Sequence, residues 1–295
     1  MIEPFAIRYI ETTGRCNYKC PICVERARDI VMGMPEFQKI INTNSNLFHK
    51  DGVWVDFNGE PLVDPLFFDR LDVMHEKGIK TQISTNGFLL TEETCEKMAS
   101  SKIDYIVVSV ATLDEEEYQK IRGNNNLQTV IGNLLYLKQC IDRVGSSTKL
   151  QAVAIDTGNE EKFGIFKSFF HSKGINVALH QFTNRAKSIN VDLNINYGFQ
   201  MSNRSACKGL RKNLIILSDY EVTICCADFF GKNSIGNLQE YDYSIERLVE
   251  NGRFEQLMRQ LDQHEFVGAC RDCSDWIYYQ DNPNVPPYVS VYPVS

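Results

Sequence analysis

The 295-residue sequence predicts an α/β protein built on a parallel sheet, with a smaller second unit near its C-terminus. Three observations predict it. From Ile7 to about Phe182 short apolar runs alternate with helix-like segments; from 183 to about 206 the chain turns rich in Asn and Ser and loses its periodicity; from Cys207 it resumes with a hairpin pattern followed by a helical one. Strands that alternate with helices need crossover connections, and crossovers pair strands in parallel.

Six β/α units follow in order. The strands are read at "AIRYIET", "VWVDF", "KTQIST", "YIVVSV", "KLQAVAI" and "INVALHQF". Between them "DPLFFDRLDVMHEKG" stops at Gly78, "TEETCEKMASS" opens on a capping Thr91, and "NEEKFGIFKSFFHSKG" stops at Gly174. In such a sheet the reactive side chains are expected on the loops at the strands' C-terminal ends. Beyond the linker, "LIILSDYEVTIC" reads as a hairpin and "SIERLVENGRFEQLMRQLD" as helix on both sides of Gly252. The last 22 residues are rich in Tyr and Pro and are expected to run extended over the surface. The expected division is therefore 1–182, a linker at 183–206, a second unit at 207–273 and a tail at 274–295.

Composition narrows the function. The net charge of -7 with scattered lysines and arginines excludes a nucleic-acid substrate, which needs a concentrated basic surface. The opening "MIEPFAIRYIE" has no export pattern and no apolar run is long enough to span a membrane, so no membrane is involved and a cytoplasmic location is expected. In that reducing compartment ten cysteines point to metal binding or catalysis rather than to disulfides.

The thiols are patterned. "CNYKCPIC" places Cys16, Cys20 and Cys23 on the loop after the first strand. A structural zinc wants four ligands, whereas a four-iron cluster can be held by three thiolates, with one iron left to bind something else. This CxxxCxxC segment resembles the signature of the radical S-adenosylmethionine (radical SAM) superfamily. The resemblance extends along the chain. "FNGEPL" resembles the family's GGE motif, with Asn58 in place of its first glycine, Gly59 kept, and Glu60 expected to accept a hydrogen bond from the methionine amine. "STNG" resembles the ribose-contacting segment, through Ser84, Thr85 and Asn86, and Ser109 closes the fourth strand at the height of the ribose or carboxylate. "EEEYQKIRG" resembles the segment whose arginine pairs with the cofactor carboxylate, here Arg122. Ile22 stands where the family often has an aromatic residue near adenine. The resemblance implies a partial (β/α)6 barrel of the TIM type, a [4Fe-4S] cluster and S-adenosylmethionine.

A second group comprises Cys207, Cys225, Cys226, Cys270 and Cys273. It resembles the α+β twitch domain, the shorter relative of the SPASM extension, and implies a second [4Fe-4S] cluster on Cys207, Cys225, Cys270 and Cys273. A zinc ribbon is the rival reading of the same thiols. Cys226 is left over, and on a hairpin strand it would point to the face opposite Cys225. Cys95 and Cys140, within helical segments, are expected to be buried apolar residues. The whole-length likeness is to the group containing the 2-deoxy-scyllo-inosamine dehydrogenase of aminoglycoside synthesis, and it implies that Arg185 of "TNRA" is a substrate ligand. Two outcomes compete: dehydrogenation of an alcohol or amine carbon, or epimerisation with Cys226 as hydrogen donor. The substrate is expected to be a sugar or aminocyclitol, or else a peptide, and the electron donor a flavodoxin- or ferredoxin-type protein. A non-catalytic iron-sulfur or zinc-binding protein would keep the cysteines without needing Glu60, "STNG" or Arg122.

Overall fold

Local capping chemistry cuts the first part of the chain into alternating elements. The computed structural model describes residues 5–24, 28–182, 207, 213–271, 273, 275–276 and 288–294. Its elements are β1 (Ala6–Ile10), α1 (Met34–Thr43), β2 (Val53–Trp54), α2 (Phe67–Glu76), β3 (Thr81–Thr85), α3 (Glu92–Ser100), β4 (Tyr105–Ala111), α4 (Glu115–Arg122), α5 (Leu127–Val144), β5 (Lys149–Ile155), α6 (Glu160–His171) and β6 (Asn176–His180). Then come β7 (Asn213–Ile216), β8 (Glu221–Thr223), β9 (Gly236–Asn237), α7 (Ile245–Val249), α8 (Arg253–Asp262) and β10 (Val289–Tyr292). Thr91 caps α3 by accepting from the Thr94 amide at 3.2 Å, and Asp114 caps α4 by accepting from Glu117 at 2.9 Å. Gly78 and Gly174, just beyond α2 and α6, take φ of +71° and +68°, as the sequence predicts.

All ten strands belong to one sheet, in the order β10-β6-β5-β4-β3-β2-β1-β7-β8-β9. From β6 through β1 to β7 every pairing is parallel. The hairpin β7–β8 is antiparallel, and it hangs on the barrel sheet through β1 rather than forming a separate layer. Residues 289–292 of the tail are extended, but they are hydrogen-bonded to β6 as an antiparallel edge strand. The expected linker at 183–206 lies outside the described residues, as does Arg185.

Period-2 alternation separates two cores. Val53 on β2, Ile106 and Val108 on β4, Leu150 and Ala152 on β5, and Val177 on β6 face the helices and join the main core. Their neighbours Trp54, Tyr105, Val107, Val153 and Ala178 face the lumen and form a cluster of their own. Tyr9, Trp54 and Tyr105 pack in series, with ring centroids 6.2 and 5.9 Å apart, and plug the lumen. Cys95 and Cys140 are buried in the main core.

The second strand is shorter than "VWVDF" suggests, for a specific reason. The ladder adds one bond past Trp54, from the Val55 amide to the Gln82 carbonyl at 2.8 Å. There a side chain takes over: the Ser84 amide donates to the Asp56 carboxylate at 2.9 Å.

One buried ion pair braces the barrel. Arg70 on α2 and Asp64, both with fully buried side chains, meet at 2.7 Å, and Arg70 also donates to the Met32 carbonyl. Removing one partner strands a charge in the interior. Asp64→Asn should lower the unfolding free energy by about 3 to 5 kcal/mol, measured by anaerobic denaturant titration. An unchanged midpoint would show that the pair braces nothing.

Candidate active site

The loop bearing the first three cysteines is pinched at its neck. Thr13 bridges Val31 antiparallel, the Gly14 amide donates to Ile30 at 3.0 Å, and the Met32 amide donates to Thr12 at 2.8 Å. The neck holds the described first limb of the loop, residues 15–24, over the C-terminal ends of the strands. There Cys16, Cys20 and Cys23 line one cavity of about 220 Å³. The Cys23 amide donates to the Cys20 carbonyl at 3.0 Å, and the Tyr18 amide points at the Cys16 sulfur at 3.4 Å.

The same cavity is lined by Ile22, Asn58, Gly59, Glu60, Ser84, Thr85, Asn86, Ser109 and Arg122. Every residue singled out for the cofactor is therefore brought to one place. Glu60 is 2% exposed and held from three sides: Thr85 Oγ1 and the Asn86 amide donate to it at 2.7 Å each, and the Leu62 amide at 3.2 Å. Burial pushes its carboxyl up to about 7, against those hydrogen bonds and the Arg122 charge, which pull it down. Arg122, at the end of α4, donates to the Ser109 carbonyl, and its buried Nε has no hydrogen-bond partner among the described residues. Such an orphaned donor suits an incoming acceptor.

Gly59 is required by proximity. A Cβ there would lie 2.1 Å from the Thr13 carbonyl oxygen and 2.7 Å from that of Arg15. The close approach lets the Glu60 amide donate to Arg15 at 2.7 Å, which docks the glycine-glutamate loop on the cysteine loop.

Several lining residues were not singled out from the sequence. Asp56, Phe57, His180, Gln181, Phe182 and Phe229 are among them. Asp56 could have been found as a carboxylate at the C-terminal end of the "VWVDF" segment, where reactive side chains are expected. Phe229 carries no sequence signal; it stacks on Phe57 at 4.8 Å across the chain.

Among the second thiols, Cys225 and Cys273 pack with Ala227 and Ala269, while Cys270 and Cys207 lie against the main core. Asn233 Nδ2 donates to the Cys270 sulfur at 3.2 Å, and the Ala227 amide to the Cys225 sulfur at 3.3 Å. The Cys225 thiol is pushed well up, first by a hydrogen bond with Cys226 and then by burial. The expectation that Cys226 points opposite to Cys225 presumes a hairpin strand running through both. The strand ends at Thr223, so both cysteines lie on the following turn, where side chains need not alternate. Cys226 is not among the described residues that line the cavity. No three His, Cys, Asp or Glu side chains among the described residues are placed to share a single metal ion. A four-iron cluster instead takes each thiolate on a different iron, and the thiols around the cavity and on the second loop, with amide donors to their sulfurs, have the chemistry for it.

Comparison with known proteins agrees with this geometry. The model of the radical SAM superfamily matches residues 10–169, more than half of the chain, and the SPASM iron-sulfur cluster-binding domain matches 207–274. The chain therefore belongs to the radical SAM superfamily. Its cofactors are S-adenosylmethionine with its [4Fe-4S] cluster, and auxiliary iron-sulfur binding in the second part. Over 108 residues it is 31% identical to the tungsten-containing aldehyde ferredoxin oxidoreductase cofactor-modifying protein of Pyrococcus furiosus, covering 36% of this chain and 30% of that one. It spans 30% to 41% of the length of the first curated relatives it matches. Among solved structures, Streptococcus suis SuiB bound to precursor peptide SuiA superposes with a TM-score of 0.68 at 17% identity, covering 85% of this chain and 67% of SuiB. BtrN in complex with AdoMet and 2-DOIA gives 0.63 at 18%, covering 96% and 98%. At these identities the structures share the fold.

The Gly59 contact generates a test. Gly59→Ala should separate the two loops and reduce the affinity for S-adenosylmethionine by at least about tenfold, measured by equilibrium dialysis of the reconstituted protein. Wild-type affinity would contradict the docking of Gly59 on the cysteine loop.

Proposed function

We propose that the protein dehydrogenates a carbon bearing a hydroxyl or amine in a sugar or aminocyclitol. The observation that carries this reading is the composition of one cavity wall. The three-thiol loop lines one side, and Phe229 lines another from the segment just after Cys225 and Cys226. A substrate held there lies beside both cysteine loops.

In this reading Cys16, Cys20 and Cys23 hold the first cluster, and Cys207, Cys225, Cys270 and Cys273 hold an auxiliary one. When bound, these clusters and S-adenosylmethionine supply a 5'-deoxyadenosyl radical that removes a hydrogen atom from a C–H bond, and a nearby electron acceptor. The chain's own residues bind and orient. Glu60 accepts from the methionine amine, and the unpartnered Arg122 Nε donates to its carboxylate. Ser84, Thr85, Asn86 and Ser109 face the ribose, while Ile22 packs near adenine. Asn58 and Gly59 keep the loop backbone close. The neck of the cysteine loop and the aromatic plug in the lumen limit water around the reacting carbon. A flavodoxin- or ferredoxin-type protein is the proposed electron donor, and Arg185 a proposed substrate ligand.

The likeness across 98% of BtrN supports a small substrate. A peptide is the second reading, supported by the likeness to SuiB. Epimerisation through Cys226 loses support from that residue's absence from the described cavity lining.

Two outcomes are expected. Glu60→Gln and Arg122→Ala should each weaken S-adenosylmethionine binding by about tenfold to a hundredfold, from the loss of a charged hydrogen bond in a partly dry site. In the wild type that affinity should rise with pH through about 7, as Glu60 ionises, and Glu60→Gln should flatten the rise. Unchanged affinity in both variants would discard the assignment. With amino- and deoxycyclitols in heavy water, wild type and Cys226→Ala should both give a ketone or imine lacking two hydrogens and free of solvent deuterium. A deuterated isomer that Cys226→Ala cannot form would establish an epimerase instead.

A further inference from the structure

Asp56 is the one charged lining residue that the cofactor assignments leave unused, apart from the titratable His180. It lies two residues past the end of β2, on the cavity wall. One carboxylate oxygen accepts from the Ser84 amide at 2.9 Å. Among the described residues Asp56 forms no salt bridge, and its other oxygen accepts no hydrogen bond. A half-buried carboxylate on a cavity wall, with one oxygen held by a backbone amide and the other open to the cavity, is placed to accept from a bound cation.

The surroundings define what would complete it. Its titratable neighbours are Glu60 and Glu11, both carboxylates, and the hydroxyl of Tyr9. The two carboxylates disfavour its charge. Arg122 is committed to Ser109 on the other side of the cavity. The adjoining wall is aromatic, with Phe57 stacked on Phe229 at 4.8 Å. An acidic floor with aromatic walls attracts a compact cation and repels an anion. Anionic sugar phosphates and acidic peptides do not suit it.

We propose that Asp56 is the specificity-determining anchor of the substrate, binding a protonated amine on the molecule whose C–H bond is attacked. This inference rests on the reading of the cavity as a substrate site and adds the charge that the site selects. Burial and the two neighbouring carboxylates push the Asp56 carboxyl up to about 8 in the free protein. An arriving ammonium supplies the missing countercharge and lets the carboxylate ionise.

The test uses reconstituted holoprotein loaded with S-adenosylmethionine, with cyclohexylammonium as probe and cyclohexanol as its uncharged counterpart. Cyclohexylammonium should raise the melting temperature of the wild type, more strongly as pH rises from about 6 to about 8, and cyclohexanol should not. In Asp56→Asn the ammonium affinity should fall by about tenfold to a hundredfold, while binding of S-adenosylmethionine is retained. No ammonium shift in the wild type, an equal shift with cyclohexanol, or an equal shift in Asp56→Asn would each overturn the proposal. Misfolding of the variant is checked by free-protein stability. A carboxyl raised in the folded state lends stability below the unfolded value near 3.9, and this is lost as pH rises to about 8. Asp56→Asn should therefore be at least as stable as wild type at pH 8 and less dependent on pH. If ammonium binds through Asp56 but no cyclitol is oxidised, the dehydrogenase reading fails and the ammonium site stands.

Discussion

One buried carboxylate holds together the three segments from which the site is made. Glu11, 1% exposed and immediately after β1, accepts from the Asn58 amide at 3.1 Å and from the amide and hydroxyl of Ser218 at 3.0 and 2.8 Å. Its own amide donates to Ile216 at 2.8 Å. The start of the cysteine loop, the glycine-glutamate loop and the turn after β7 are thus tied at one point, although they are distant in sequence. Burial raises the Glu11 carboxyl, and the hydrogen bonds from Ser218 and Asn58, with the Arg28 charge, pull it back. Three donors directed at one carboxylate are what make such burial tolerable.

Arg28 extends the tie. It donates to Asp219 at 2.6 Å and to the Phe229 carbonyl at 2.7 Å, so the return limb of the cysteine loop is fastened to the hairpin turn and to the segment after Cys226. Two cysteine loops are positioned relative to each other by side chains that are not cysteine. The cavity between them inherits an acidic floor from Glu60 and Asp56 and an aromatic wall from Phe57 and Phe229. Its chemistry is therefore decided as much by what braces the loops as by the thiols.

Much of this was legible in the sequence because it depends on local signals. Strand-helix alternation, the capping Thr91 and the stop at Gly78 act within a few residues, and the structure follows them. The residues assigned to the cofactor stand in motifs at strand ends, and the parallel sheet brings those ends to one rim, where they line one cavity. What was not legible depends on pairing partners. The shortening of β2 follows from a side chain replacing a ladder bond, and the pairing of the tail with β6 needs a strand over a hundred residues away. That Cys225 and Cys226 lie past the hairpin strand follows from where that strand ends, which alternation alone could not tell. Phe229 enters the cavity only because Arg28 and Glu11 bring its turn there.

In the proposed arrangement one loop's thiols hold a cluster open to S-adenosylmethionine while the second group holds a cluster closed to it. Electron paramagnetic resonance of the anaerobically reconstituted, dithionite-reduced protein tests this most directly, because an iron with an open coordination site changes its signal when a ligand binds. Two overlapping iron-sulfur signals are predicted, one shifting on addition of S-adenosylmethionine and the other unmoved. A spectrum that S-adenosylmethionine leaves wholly unchanged would contradict the claim.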